Sequence, residues 1–431
     1  MSLRRRVGLD LATTAGAHAV YKLAALVVMM ILTRSLSKES FGSFTFATSI
    51  AGIGIPFTAL GLTTLLVRDI AVDRARASEH ASRALAIRIP LLALLVAVLA
   101  AGTAIIRPPL AAIVFWSTLA LALDEIALTF GSYFSGLERF RLASALGVGG
   151  KLLGIAAVFV AALAGAGVVG FVVAMVLANA VRLAATIVAA RLTGFRWTAH
   201  ATRDAREKRD LVVRALPLFA LGATATLHFR GDAVLLGWLG TFALVATYET
   251  AFRLFEAAQF VTRPVAMVFY PLFANRLAAG EREWVAARFR RILAIAIAAG
   301  VAGAALVYAL AGPLVPVLFG AAYTESVPVL RTLYLALPSF LVVVMCGMTA
   351  RAMGLERRVL LISVACLVIG LAAKALLIPR AGVLGVAWCT SIVFVLQAVA
   401  VARLVLRALA QPVAPAHITP GAEYPEAPVA I

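Results

Sequence analysis

Charge is scarce in this chain, and so are the side chains that usually carry chemistry. Only 14% of its 431 residues are charged, and it has five histidines and three cysteines. Cys346, Cys366 and Cys389 fall inside apolar runs with no metal-ligand spacing, so they read as packing residues. His18, His80, His200, His228 and His417 are scattered, which gives no metal site and no catalytic group. No G-x-x-x-x-G-K-[ST] sequence occurs and no loop is long enough for a nucleotide-binding domain, so the chain does not hydrolyse ATP. The formal net charge of +19 comes from Lys and Arg at the ends of apolar runs, without the interleaved aromatics of a soluble basic patch. Nucleic acid is therefore not an expected partner.

What the chain has in abundance is apolar sequence, at 63% hydrophobic residues, far above a soluble globular protein. A helix needs roughly 20 apolar residues to cross a bilayer. Such runs predict spans near 12–33, 42–64, 85–106, 110–134, 144–164, 167–190, 212–238, 242–270, 291–311, 328–350, 358–378 and 382–405. The expected fold is all-α, a polytopic membrane protein of about twelve transmembrane helices. Arg4-Arg5-Arg6 opens it, but Lys22 in the middle of the first run marks a retained helix rather than a signal peptide.

Alternating the loops places 26 Lys and Arg on one side and four, Arg34, Lys38, Arg107 and Arg380, on the other. The positive-inside rule then puts both termini in the cytoplasm. The longest central loop, Arg191 to Asp210, divides the spans six and six. The expected organisation is an N-terminal lobe over 1–195, a cytoplasmic linker over 196–211, a C-terminal lobe over 212–410 and a disordered cytoplasmic tail over 411–431. The loop's charges read as a solvated amphipathic connector, with anionic headgroups as the alternative ligand.

Function is sought where the apolar pattern breaks. Lys22, Asp124, Glu125, Arg230, Asp232, Glu249, Arg253, Glu256 and Arg263 all lie within predicted spans. Each would cost about 2.5–3.5 kcal/mol facing lipid at the midplane. On one continuous helix, residues 249, 253, 256 and 263 share an arc of about 80°. That stripe is either a set of structural pairs at i,i+4 and i,i+3 spacing or the wall of a polar cavity. Lys22, Arg230, Arg253 and Arg263 together make a cationic cavity suited to a phosphate-bearing ligand. Asp124 and Glu125 point about 100° apart, so they do not form one acid/base unit. They, with Asp232, Glu249 and Glu256, are assigned as counter-ion or coupling residues. Arg88, Arg182, Arg331 and Lys374, nearer predicted span ends, are expected to snorkel to the headgroups.

Between the first two spans the chain reads Arg34-Ser35-Leu36-Ser37-Lys38-Glu39-Ser40-Phe41-Gly42, followed by Gly61-Leu62 and Val67-Arg68-Asp69. Further on come Gly136-Leu137-Glu138-Arg139, Leu216-Pro217, Tyr248 with Arg253-Leu254, and Tyr270-Pro271. This combination resembles the Wzx-type polysaccharide-biosynthesis flippases of the MOP superfamily, which also holds MATE exporters and MurJ-like flippases. The resemblance implies two six-helix lobes around a cavity of alternating access in the bacterial cytoplasmic membrane. It implies an undecaprenyl-diphosphate-linked oligosaccharide as cargo, glycan polymerase machinery as a further partner, and no cofactor, with Na+ or H+ coupling left open. The intramembrane acids keep a cation-coupled MATE-like drug exporter as the alternative. A membrane-embedded glycan polymerase or ligase is the reading from another class, and the short outer loops argue against it.

Overall fold

The computed structural model describes residues 16, 20–21, 23–199, 205–257 and 262–410, without the side chains of 205, 217, 262–264 and 266–268. Among these residues every regular element is a helix. The first half comprises α1 (Leu23–Ser35), α2 (Lys38–Ala59), α3 (Leu62–Val72), α4 (Ala77–Ile106), α5 (Ala111–Gly136), α6 (Phe140–Leu163) and α7 (Val168–Leu192). The second comprises α8 (Ala205–Leu239), α9 (Phe242–Ala257), α10 (Thr262–Ala278), α11 (Arg282–Phe319), α12 (Ser326–Tyr334), α13 (Leu337–Ala352) and α14 (Glu356–Ala410).

Seven described helical segments are long and apolar enough to cross a membrane, or up to nine when each of two bent pairs is one span. The difference from the expected twelve has identifiable sources. α14 has 55 residues, about 80 Å of helix, far more than one bilayer crossing. It breaks at Gly382 (φ 54°, ψ −143°), which only glycine adopts without strain, at the junction of the last two predicted spans. α1 is described only in part, and α9 and α10 have 16 and 17 residues. Between them, within the expected span 242–270, residues 258–261 lie outside the described residues, and Arg263 falls on α10.

Local sequence sets these breaks. Ser37 caps α2 by accepting a hydrogen bond from the Ser40 amide at 3.2 Å. α2 yields to α3 where Leu60 and Gly61 both take left-handed backbone angles. A Cβ at Gly61 would also lie 2.6 Å from the Leu218 Cβ, so glycine here lets α8 approach. α8 bends by 52° between Leu216 and Leu218, at Pro217, where the missing amide interrupts the hydrogen-bond ladder.

The largest apolar core runs through both halves, joining Phe41, Phe46 and Phe171 to Tyr248, Phe255 and Phe394. α8 begins inside the stretch assigned to the linker, and its first segment lies on the first half. There Leu211 and Ala215 pack with Leu62 and Leu65, while Glu207 pairs with Arg83 and Arg214 with Asp69.

Candidate functional site in the membrane interior

Among the described residues three groups of charge occupy the interior, each drawing on more than one helix. The first lies on α8 and α9. Thr241 starts α9, its hydroxyl accepting from the Leu244 amide at 3.3 Å. About two and four turns on, Glu249 and Glu256 both hold Arg253, at 2.6 and 2.8 Å. Their spacing of four and three residues puts all three side chains on one face, as the stripe predicted.

Arg230 of α8 stands beside this triad but makes no ion pair or hydrogen bond with the described residues. Its guanidinium instead reaches the opposite half, where a Cβ built on Gly52 of α2 would lie 3.7 Å from Nε. A Cβ at 52 would just touch the guanidinium, and a larger side chain would enter the space it uses. Two bases and two acids make this group electroneutral as described. Of the other two bases assigned to the cationic cavity, Lys22 lies outside the described residues, and Arg263 is described only in its backbone.

The second group is buried between α8, α9 and α14. Lys374 donates to Asp232 Oδ1 at 2.6 Å, the Tyr248 hydroxyl donates to Oδ2, and the Thr390 hydroxyl lies 3.2 Å from that same oxygen. All four residues are buried. Asp232 thus faces a basic partner, and that partner corrects the expectation for Lys374. That lysine does not snorkel, because a buried ammonium finds its counter-charge in the protein rather than in the headgroups.

The third group belongs to the first half, on α4, α5, α6 and α7. Asp124 pairs with Arg182, and Lys151 lies 3.5 Å from its other oxygen. Glu125 turns the other way and pairs with Arg88, whose second guanidinium nitrogen donates to Thr129. The divergence of the two acids is as expected. Snorkelling of Arg88 and Arg182 is not observed, since Arg88 is 0% exposed and Arg182 is buried against Gly150. Three bases face two acids here, and Lys151, with its side chain 39% exposed, is the least engaged base.

Arg88, Lys374 and Arg182 are the interior charges that sequence reasoning missed. Each lies in a strongly apolar run, and that was the available signal. Their partners are 37, 142 and 58 residues away, separations at which no spacing rule applies.

A family model described as "Polysaccharide biosynthesis protein" matches residues 10–276, more than half of the chain. No curated protein matches it significantly. Among solved structures, it is similar to an inward-facing multidrug resistance MATE family transporter of the MOP superfamily. Identity is 18%, coverage 90% of this chain and 95% of that one, and the TM-score 0.69. A MOP superfamily transporter from Pyrococcus furiosus matches at 16% identity, with 94% and 96% coverage and a TM-score of 0.63. A mutant of the Vibrio cholerae MATE transporter VcmN matches at 17% identity, with 92% and 98% coverage and a TM-score of 0.56.

Proposed function

We propose, from the premise that this chain belongs to the polysaccharide biosynthesis protein family and has the MOP transporter fold, that its cargo is an undecaprenyl-diphosphate-linked oligosaccharide. The chain is a multi-pass membrane transporter and not an enzyme, so the question is what it moves. The cargo is turned from the cytoplasmic to the outer leaflet of the bacterial inner membrane by alternating access of two lobes, 1–195 and 212–410. Both termini face the cytoplasm, and a glycan polymerase receives the product.

The observation that carries this reading is Arg230. A guanidinium in the membrane interior with no ion pair among the described residues, placed where the halves meet, is matched by a ligand that brings its own negative charge. A diphosphate does so, accepting two parallel hydrogen bonds from one arginine. Arg253, held by Glu249 and Glu256, is the second donor, and Lys22 and Arg263 supply the positive charge that the acids cancel. The drug-exporter alternative is less well supported, because Asp124, Asp232, Glu249 and Glu256 each already have a basic partner.

The test is Arg230→Glu and Arg230→Lys in cells whose surface glycan depends on this chain. Charge reversal should stop export and accumulate the lipid-linked precursor at the inner leaflet, at unchanged protein level, while lysine retains part of the flux. Normal surface glycan in the Glu variant would overturn the reading, as would gradient-driven ethidium export by the purified protein in liposomes.

A further inference from the structure

Three of the four basic residues at the sparsely charged end of the molecule cross from the first half to the second. Arg107, between α4 and α5, donates to the carbonyls of Gly237 at 2.8 Å and Trp238 at 3.3 Å. Its guanidinium also lies over the Trp238 ring, 4.5 Å from the centroid. Arg34, in the last turn of α1, donates to the carbonyl of Val317. Lys38, in the first turn of α2, pairs with Glu325, directly before α12. The fourth, Arg380, among the described residues bonds to the Leu376 carbonyl of its own helix.

The acceptors have something in common. Gly237 and Trp238 belong to the last turn of α8, which ends at Leu239, and Val317 to the last turn of α11, which ends at Phe319. The last carbonyls of a helix have no partner within it and carry the negative end of its dipole. Two arginines of the first half therefore cap two helix ends of the second. Around them the seam is tight. Phe41 packs edge-on against Tyr323, Phe46 lies between Trp238 and Phe242, and a Cβ at Gly42 would collide with the backbone carbonyl of Phe242.

The opposite, arginine-rich end is joined differently. Among the described residues its ion pairs between the halves, Arg83 with Glu207 and Arg214 with Asp69, go only to the Arg206–Leu216 arm of α8. The bend at Pro217 separates this arm from the remainder of α8. The arm can stay on the first half while the rest of the second half moves.

We propose that Arg34, Lys38 and Arg107 form the lock of an extracytoplasmic gate, which holds the halves together by capping the ends of α8 and α11 and pairing with Glu325. Opening the gate toward the outer leaflet uncaps both helices at once, so the sealed state is favoured until another interaction compensates. This also accounts for basic residues at the end where the positive-inside rule disfavours them. The proposal rests on the chain being a transporter with both termini in the cytoplasm, but not on the identity of its cargo.

The gate is tested by labelling with a membrane-impermeant maleimide from the outside, with no cargo present. The reporter is Phe46→Cys, in protein whose Cys346, Cys366 and Cys389 are replaced by alanine. Arg107→Ala, which removes charge-assisted hydrogen bonds, should raise the labelling rate about ten-fold. Gly42→Ala should raise it as well, by forcing α2 from the start of α9. Lys38→Glu should raise it, and Lys38→Glu with Glu325→Lys should return it toward the reporter's own rate. Separately, Lys38→Cys with Glu325→Cys should cross-link on oxidation, stop transport, and recover with reductant. Unchanged labelling in Arg107→Ala, or full transport by completely cross-linked protein, would overturn the gate while leaving the cargo reading untouched.

Discussion

The Lys374 ammonium lies 2.6 Å from Asp232 Oδ1, joining α14 to α8 across 142 residues of chain in a site closed to water. Tyr248 and Thr390 complete the carboxylate's surroundings. Asp232 thus has hydrogen-bonding partners at both oxygens, and the charge it carries is balanced where it stands.

Removing one partner of this pair leaves a buried charge without compensation. Lys374→Met should destabilise the protein by about 3–5 kcal/mol, and Lys374→Met with Asp232→Leu should recover most of that loss. Thermal unfolding of the purified protein, followed by tryptophan fluorescence, measures both. Equal midpoints for the single and double variants would show that the pair is not coupled.

The bases of the first half should separate by burial. Arg88→Ala leaves Glu125 unpaired in the interior, with an expected loss of about 3–5 kcal/mol. Lys151→Ala, removing a partly exposed third charge from a pair that is already formed, should lie within about 1 kcal/mol of the parent. The same unfolding measurement ranks them, and a loss as large for Lys151 as for Arg88 would contradict the described pairing.

Gly52 controls the room left for Arg230. A Cβ there sits in ordinary van der Waals contact, so Gly52→Ala should export glycan at close to the normal rate. Gly52→Leu fills the space the guanidinium occupies and should lower export about ten-fold or more, since bound geometry that slips by about 1 Å is expensive. Precursor accumulation, normalised to protein level in the membrane, is the measurement. Full export by the leucine variant would place the Arg230 guanidinium elsewhere during transport.

Gly61 tests the junction of α2 and α3. Alanine must there adopt φ near 71° and meet the Leu218 Cβ, so Gly61→Ala should cost about 1–3 kcal/mol. The expected readout is a lower unfolding midpoint. Gly165→Ala, also at positive φ but with open space around it, should cost less.

Much of this molecule was legible in advance because a bilayer imposes strong local rules. Backbone polar groups must be satisfied within each span, so helix follows from apolar run length alone, and the all-α membrane fold was readable residue by residue. The Arg253 triad was readable for the same reason, since i,i+3 and i,i+4 neighbours on one helix are fixed by its pitch.

The tertiary structure decided which charges meet. Arg88, Arg182 and Lys374 looked like residues bound for the headgroups, because a long basic side chain near a predicted span end has that option. Packing removed it by surrounding each with protein and setting an acid within reach. The four bases at the sparsely charged end were no more than exceptions in a loop count, until the fold brought three of them to the other half. Sequence alone determined that this chain lies in a membrane, is helical and carries interior charge, because those properties depend on local length and polarity. The choice of partners belongs to the fold, because a salt bridge or a helix cap depends on distance in space, which separation along the chain does not encode.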